Sequence, residues 1–389
     1  MRSLVRNSFL AFSPPFLGPE EIAEIVDTLK TDWITTGPKT RQFEADFAQF
    51  IGAGAALAVS SATDAMQVGL AALGVGPGDE IITTAMTFCS TVHVIEHLGA
   101  RPVLVDVEPD TLCIDPVAVE RAATPKTRGL LPVHLYGHPC DMDNLLDLAT
   151  ARGLFVLEDA AHALPARYKG RMVGTIGTAT AFSFYATKNM TTAEGGMLTG
   201  DPDLIARARM WSLHGMSRDA YKRYCAEGSW FYEVVLPGFK CNMTDIQASL
   251  GIQQLKKLSR FQGRRREVVR RYQEAFGEIP ELKMPVERPD VESSWHIYPL
   301  RLNLEMLTIG RDQFIRELKA RNIGTSVHFI PIHLHPYYRD KYGYEPGDFP
   351  VALGNYRRLV SLPLYPRLSE QDVEDVIEAV RDVVDKHRR

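Results

Sequence analysis

Lys188 stands in the run Phe182-Ser183-Phe184-Tyr185-Ala186-Thr187-Lys188-Asn189, and Asp159 closes the apolar stretch Gly153-Leu154-Phe155-Val156-Leu157-Glu158-Asp159. A lysine amine can hold an aldehyde as an imine once burial or a nearby cation lowers its pKa. A carboxylate beside a heteroaromatic nitrogen keeps that ring cationic, so that it can accept carbanion electrons. Pyridoxal phosphate needs both groups, and this pair suggests that cofactor. By residue type alone Lys188 reads as an exposed lysine on a turn. Asp159, Ser183 and the Glu194-Gly195-Gly196 turn around it favour the imine-forming role.

The other residues near this pair each have a plainer reading. Buried at a strand end, Asp159 would need a cationic partner, which a pyridinium nitrogen provides. Alternatively it caps a helix opened by Asp159-Ala160-Ala161-His162. His162, three residues on, could donate to the ring's phenolic oxygen or be a satisfied structural histidine. Ser61-Ala62-Thr63-Asp64-Ala65 follows a short apolar strand and offers backbone N–H groups at a helix start, an arrangement that binds phosphate. The carboxylate of Asp64 would repel a dianion, so its expected contact is through the backbone. The Ser183 hydroxyl could reach the same phosphate, and Phe88 could stack on a flat ring or simply belong to the core.

Two further features have ordinary explanations. The segment His328-Phe329-Ile330-Pro331-Ile332-His333-Leu334-His335 lacks a Cys or carboxylate at familiar ligand spacing. No metal is expected there, and a pocket lining or subunit contact fits better. The basic run from Lys256-Lys257 through Arg264-Arg265-Arg266 to Arg270-Arg271 lies in a periodic helical pattern and reads as a solvated face.

Elements must position these groups. Helical spacing begins at Glu20 behind Pro19, and a second helix is expected from Arg41 to Ile51. Short apolar runs at residues 56–60, 80–83, 102–105, 129–133, 154–157 and 179–183 read as buried strands, with helical stretches between several of them. That alternation predicts an open, largely parallel sheet whose ligand site lies beyond the carboxyl ends of its strands. A long helix from about Thr244 to Tyr272 would lead to an α+β region, with strands at residues 294–300 and 324–328 and helices at 311–321 and 370–387. With 389 residues, a large domain (1–250, with an N-terminal arm) and a smaller one (251–389) are expected.

Composition narrows the function classes. Forty-four basic against 48 acidic side chains give a net charge of -4, too balanced to gather nucleic acid or an anionic membrane. Five cysteines, at 89, 113, 140, 225 and 241, are odd in number and widely spaced, as expected of reduced thiols in a cytoplasm. Met1 to Ser13 carries Arg2 and Arg6 but no continuous apolar core, so it does not read as a signal peptide, and no apolar run is long enough to span a membrane.

The chain resembles the DegT/DnrJ/EryC1/StrS sugar aminotransferases, within the fold-type I pyridoxal phosphate enzymes. The motifs that carry the likeness cover nearly the whole chain: Trp33-Ile34-Thr35-Thr36-Gly37-Pro38, Ser61-Ala62-Thr63, Glu158-Asp159-Ala160-Ala161-His162, Phe182-Ser183-Phe184 with Lys188, Glu194-Gly195-Gly196, and Gly238 to Asp245. The resemblance implies Lys188 as the imine-forming residue, Asp159 at the ring nitrogen, His162 near the phenolic oxygen and Phe88 over the ring. Thr63, Asp64 and Ser183 would hold the phosphate, with Asn242 reaching it from the neighbouring subunit of a homodimer. Many relatives have glutamine where this chain has His162. Thr36 and His328 would touch substrate. The implied reaction moves an amino group from glutamate, leaving 2-oxoglutarate, to a nucleotide-diphosphate keto sugar for cell-surface polysaccharide, lipopolysaccharide or secondary-metabolite synthesis. The likeness is nearest to the branch that makes UDP-4-amino-4-deoxy-arabinose. Two rivals are a dehydratase using the same cofactor, in whose relatives histidine replaces the lysine, and a non-catalytic cofactor- or sugar-binding module.

Overall fold

A computed structural model describes residues 5–216 and 231–389; Arg2 and Cys225, noted above, lie outside them. Pro19 and Pro38 occupy first-turn positions of α1 (Pro19–Leu29) and α2 (Pro38–Ile51), where the missing N–H costs nothing. The sheet-forming part then runs β1 (Ala55–Val59), α3 (Ala62–Ala72), β2 (Glu80–Thr84), α4 (Ser90–His97), β3 (Arg101–Val105), α5 (Pro116–Ala122), β4 (Thr127–Leu131), α6 (Met142–Arg152) and β5 (Phe155–Asp159). A hairpin of β6 (Arg167–Tyr168) and β7 (Arg171–Met172) precedes β8 (Ala179–Ser183), β9 (Gly196–Gly200) and α7 (Pro202–Ser212).

The main sheet has the order β1-β9-β8-β5-β4-β2-β3. From β8 to β3 neighbouring strands are parallel, while β9 is antiparallel to both β1 and β8. Its strands are apolar runs buried almost throughout, as expected of a sheet covered on both faces. Register brings the site's parts to one edge. Val59 and Ser183 both pair with Gly196, and Asp159 pairs with Ala181, so the ends of β1, β8 and β5 lie side by side. Gly196 has a steric reason: a Cβ there would sit 2.3 Å from the Ser61 carbonyl, so glycine lets β9 pass against the first turn of α3.

The long helix α8 (Asp245–Phe276) starts at a capping box formed by Thr244 and Gln247. Its first half sends Ala248, Ile252, Leu255 and Leu258 into the core of the main sheet. There Phe43, Phe47, Phe182 and Phe184 interlock with ring centroids 5.2–6.1 Å apart. Each such fully buried side chain contributes roughly 1.5–3 kcal/mol. Val268, Val269, Tyr272 and Phe276 of the second half belong to another core. That core is built on β10 (Leu282–Lys283), β12 (Tyr298–Leu302) and β13 (Leu359–Leu362), covered by α9 (Arg311–Ala320) and α12 (Glu370–His387). The short strand β11 (Val291–Glu292) instead pairs with β6. Two small helices, α10 (Pro336–Tyr342) and α11 (Pro350–Tyr356), complete the region. Among the described residues no helix is long and apolar enough to cross a membrane.

Three expectations need correction. The strand expected at residues 324–328 is reduced to a single bridge, Ser326 with Ser361. The strand expected from 294 begins only at Tyr298, because residues 293–297 turn away to bond with Gly137, Tyr136 and Asn189. The basic stretch of α8 is not a uniformly solvated face. Lys257 pairs with Glu20 and Glu21, Arg264 and Arg271 with Glu370, and Arg265 is 1% exposed. Buried without a carboxylate, Arg265 donates to the carbonyls of Trp295, His296 and Leu364.

Candidate active site

Lys188 is carried by a tightly closed loop between β8 and β9. Phe184 N donates to Gly195 O at 2.8 Å, and Thr192 N returns to Phe184 O at 2.9 Å. The Thr191 hydroxyl also donates to Phe184 O, and Thr191 N reaches Gln254 of α8. Lys188 projects into a cavity of about 380 Å3, shared with Thr63, Phe88, Asp159, His162, Ser183 and His328. Seven of the ten residues assigned from the sequence therefore line one cavity. Burial lowers the Lys188 amine to about 8, partly opposed by the attraction of Asp159.

Asp159 is held at the end of β5. Its Oδ2 accepts from the Thr91 hydroxyl at 2.8 Å and its Oδ1 from Ala161 N at 3.0 Å. Burial nevertheless raises its pKa, more than Thr91, Ala161 and Lys188 lower it. Such a carboxylate gains from a cation in the cavity, and a protonated ring nitrogen would be one. No helix opens at Asp159; residues 160–166 are irregular. His162 Nδ1 accepts from Tyr136 N at 3.2 Å, which leaves the ring proton on Nε2. Burial and the positive charge of Lys188 keep this imidazole neutral. His328 is likewise held down to about 4, and its Nδ1 lies 2.8 Å from Ser361 Oγ.

At the other end of the cavity, Ser61 caps α3 by accepting from Asp64 N at 3.0 Å. The Asp64 carboxylate turns back onto the Ser60 and Ser61 hydroxyls, at 2.5 and 2.7 Å. Asp64 does not line the cavity, and its N–H is already committed to the cap. The N–H groups of Ala62 and Thr63, by contrast, meet no acceptor among the described residues. With Ser183 beside them they form a site suited to a phosphate. Phe88 is 56% exposed beside this cavity, free to cover a flat ring.

Two assigned residues lie elsewhere. Asn242 Nδ2 donates to Thr36 Oγ1 at 2.5 Å, and Thr36 in turn donates to Met243 O. Thr36 borders a separate cavity with Arg41 and Glu44. Phe329 lines the cavity, one of the two roles expected of its segment, whereas the sequence reading passed over Thr91, Tyr136 and His296. Thr91 had one available signal, since Thr87 and Thr91 are spaced i, i+4 and bond at 2.8 Å. His296 had none, because its neighbours read as a strand. The histidines at 333 and 335 do not join His328: His333 contacts Pro346 O and His335 precedes α10. Among the described residues no group of three or more His, Cys, Asp or Glu could hold a metal ion.

A parallel sheet with a buried amine, a carboxylate and a phosphate-sized nest at its strand ends defines the class as a fold-type I pyridoxal phosphate transferase. Residues 15–381 match the DegT/DnrJ/EryC1/StrS aminotransferase family, and the chain belongs to it. It is 54% identical to the spore coat polysaccharide biosynthesis protein SpsC of Bacillus subtilis, over 97% of this chain and 98% of that protein. Spr1654 of Streptococcus pneumoniae, assigned as a sugar aminotransferase and solved in PMP and PLP forms, superposes with a TM-score of 0.92 in the PMP form. That likeness is 37% identical and covers 97% of this chain and 99% of Spr1654. PseC of Helicobacter pylori, an aminotransferase involved in the biosynthesis of pseudoaminic acid, superposes with a TM-score of 0.90 at 26% identity. It covers 97% of this chain and 100% of PseC. The cofactor is pyridoxal 5'-phosphate, and the residues present fit it: an amine, an under-compensated carboxylate and two free backbone donors occupy one cavity.

Proposed function

We propose that this sugar aminotransferase moves an amino group from glutamate to the keto group, at C4, of a nucleotide-linked deoxy sugar. The observation that carries the reading is the convergence of Lys188, Asp159 and the open first turn of α3 on one cavity. Lys188 tethers the cofactor, and its amine, held near 8 by burial, takes the α-proton of glutamate and later delivers a proton to the sugar carbon. When bound, the cofactor stores the electron pair between these two transfers. Asp159 keeps the ring nitrogen protonated, and His162 Nε2–H donates to the phenolic oxygen. Thr63, through its N–H, and Ser183 hold the phosphate, and Phe88 covers the ring. Asp64 contributes by fixing the cap that aims these N–H groups.

Asn242 and Thr36 act in the site of a neighbouring copy, so the smallest active unit is a homodimer, and His328 meets the sugar. The placement of Asn242 and Thr36 off their own chain's cavity supports this. Work in the cytoplasm on a polysaccharide or lipopolysaccharide precursor is supported by the likeness to SpsC and by the free thiols of Cys89, Cys113, Cys140 and Cys241. The test is a screen of UDP-, dTDP- and GDP-linked 4-keto sugars with glutamate, beginning with the UDP-linked pentose. Release of 2-oxoglutarate and a product whose mass and proton NMR show a new amine are expected. A product that has lost water without gaining nitrogen, or no 2-oxoglutarate at all, contradicts the proposal.

A further inference from the structure

The segment from Ser293 to Ile297 leaves the second core, enters the wall of the Lys188 cavity and returns as β12. It is clamped on several sides. Gln262 Nε2 and Arg265 Nη1 on α8 donate to the carbonyls of Ser293 and His296, at 2.9 and 3.1 Å. Ser294 N and His296 N donate to Gly137 O and Tyr136 O, both at 3.0 Å. Trp295, in the middle, has φ +47°, a left-handed conformation that a bulky residue adopts only when its surroundings impose it.

The segment holds both the His162 stretch and the lysine loop. The Ser294 hydroxyl donates to His162 O at 2.5 Å. The amide of Asn189, the residue after Lys188, is gripped at both atoms: Nδ2 donates to Ser294 O at 2.9 Å, and Oδ1 lies 3.1 Å from His296 Nδ1. The first bond fixes the orientation of the amide, so Oδ1 is the acceptor and His296 Nδ1 carries the proton. We propose that His296 and Asn189 are a positioning pair that holds Lys188 in register with His162 and Asp159. The pair makes the lysine loop answer to the segment that also fixes His162. This rests on Lys188 being the cofactor-bearing residue.

The groups facing Lys188 are Asp159 from β5, His162, His296 and His328 on the cavity wall, with Tyr185 and Glu194 on its rim and Arg265 behind His296. A Lys188 released from its register would meet more water, which favours the protonated form of its bond to the cofactor.

The test uses the cofactor-loaded full-length protein. In His296→Phe, the pH midpoint of the absorption change of the Lys188–cofactor chromophore should rise by about one unit. The rate of the half-reaction with glutamate should fall about 10-fold, with the half-saturating glutamate concentration changed less than about 3-fold. His296→Asn, whose amide N–H overlies Nδ1, should restore both, whereas His296→Gln, whose N–H overlies Nε2, should not. Should His296→Phe fail to fold by circular dichroism, the Asn and Gln variants decide the question. Restoration by Gln and not Asn, or wild-type behaviour of Phe or of both amide variants, overturns the proposal. A wild-type protein that shows no chromophore on Lys188 removes the underlying reading instead, and with it the role of the pair.

Discussion

The wall around Asp159 and the corner around Asn242 are both built of short polar contacts, yet they differ in completeness. Asp159 sits among Thr91, Ala161 and Lys188 within a single chain, and its raised pKa marks a charge waiting for one more partner of cofactor size. Asn242 and Thr36 bond to each other and do not line that cavity. The strand ends of one chain bring together the groups of the cavity, whereas Asn242 and Thr36 lie outside it and, in the homodimer proposed above, would serve another copy. The exposed apolar residues Ile22, Val26 and Leu29 on α1, near that corner in sequence, are in keeping with such a copy.

Variants sharpen this contrast in order of expected effect. Lys188→Arg should abolish turnover, because a guanidinium neither forms the imine nor gives up its proton at neutral pH. Measured transamination should fall to the level of free cofactor in solution. Asp159→Asn should lower the glutamate half-reaction by about 10²–10³-fold, the usual cost of removing a preorganised electrostatic partner. Asn242→Ala should weaken cofactor binding by about 10-fold through loss of a charge-assisted hydrogen bond. Mixing it with Lys188→Arg chains should restore activity, because one site of the mixed dimer then has both residues. No restoration in the mixture would place the whole site in one chain. Thr91→Val, which removes only a supporting bond to Asp159, should cost about 5–10-fold in the same half-reaction, in line with roughly 1 kcal/mol for one hydrogen bond.

What could be read from the sequence follows the same division. Strands such as residues 56–60 and 179–183 were legible because a sheet covered on both faces buries nearly every side chain, leaving short, mainly apolar runs that stop at Ser61 and Ser183. That Lys188 and Asp159 come to one cavity could be read because Asp159 closes such a run and Lys188 follows one. His296 and Tyr136 were invisible, since their positions depend on contacts across 160 residues in the first case and on a left-handed turn in the second. Arg265 misled for a related reason: periodicity separates faces of a helix, but it does not say that a second core will close over a basic one. The strand-like run at 324–328 makes only the Ser326–Ser361 bridge to the edge strand β13, because the chain there turns toward the cavity at His328.

The most direct measurement is borohydride reduction of the purified protein with pyridoxal phosphate, followed by peptide mass mapping. The account predicts that one reduced cofactor adduct forms, on Lys188, and that prior addition of glutamate suppresses it. An adduct on another lysine, or none in properly reconstituted protein, would contradict it.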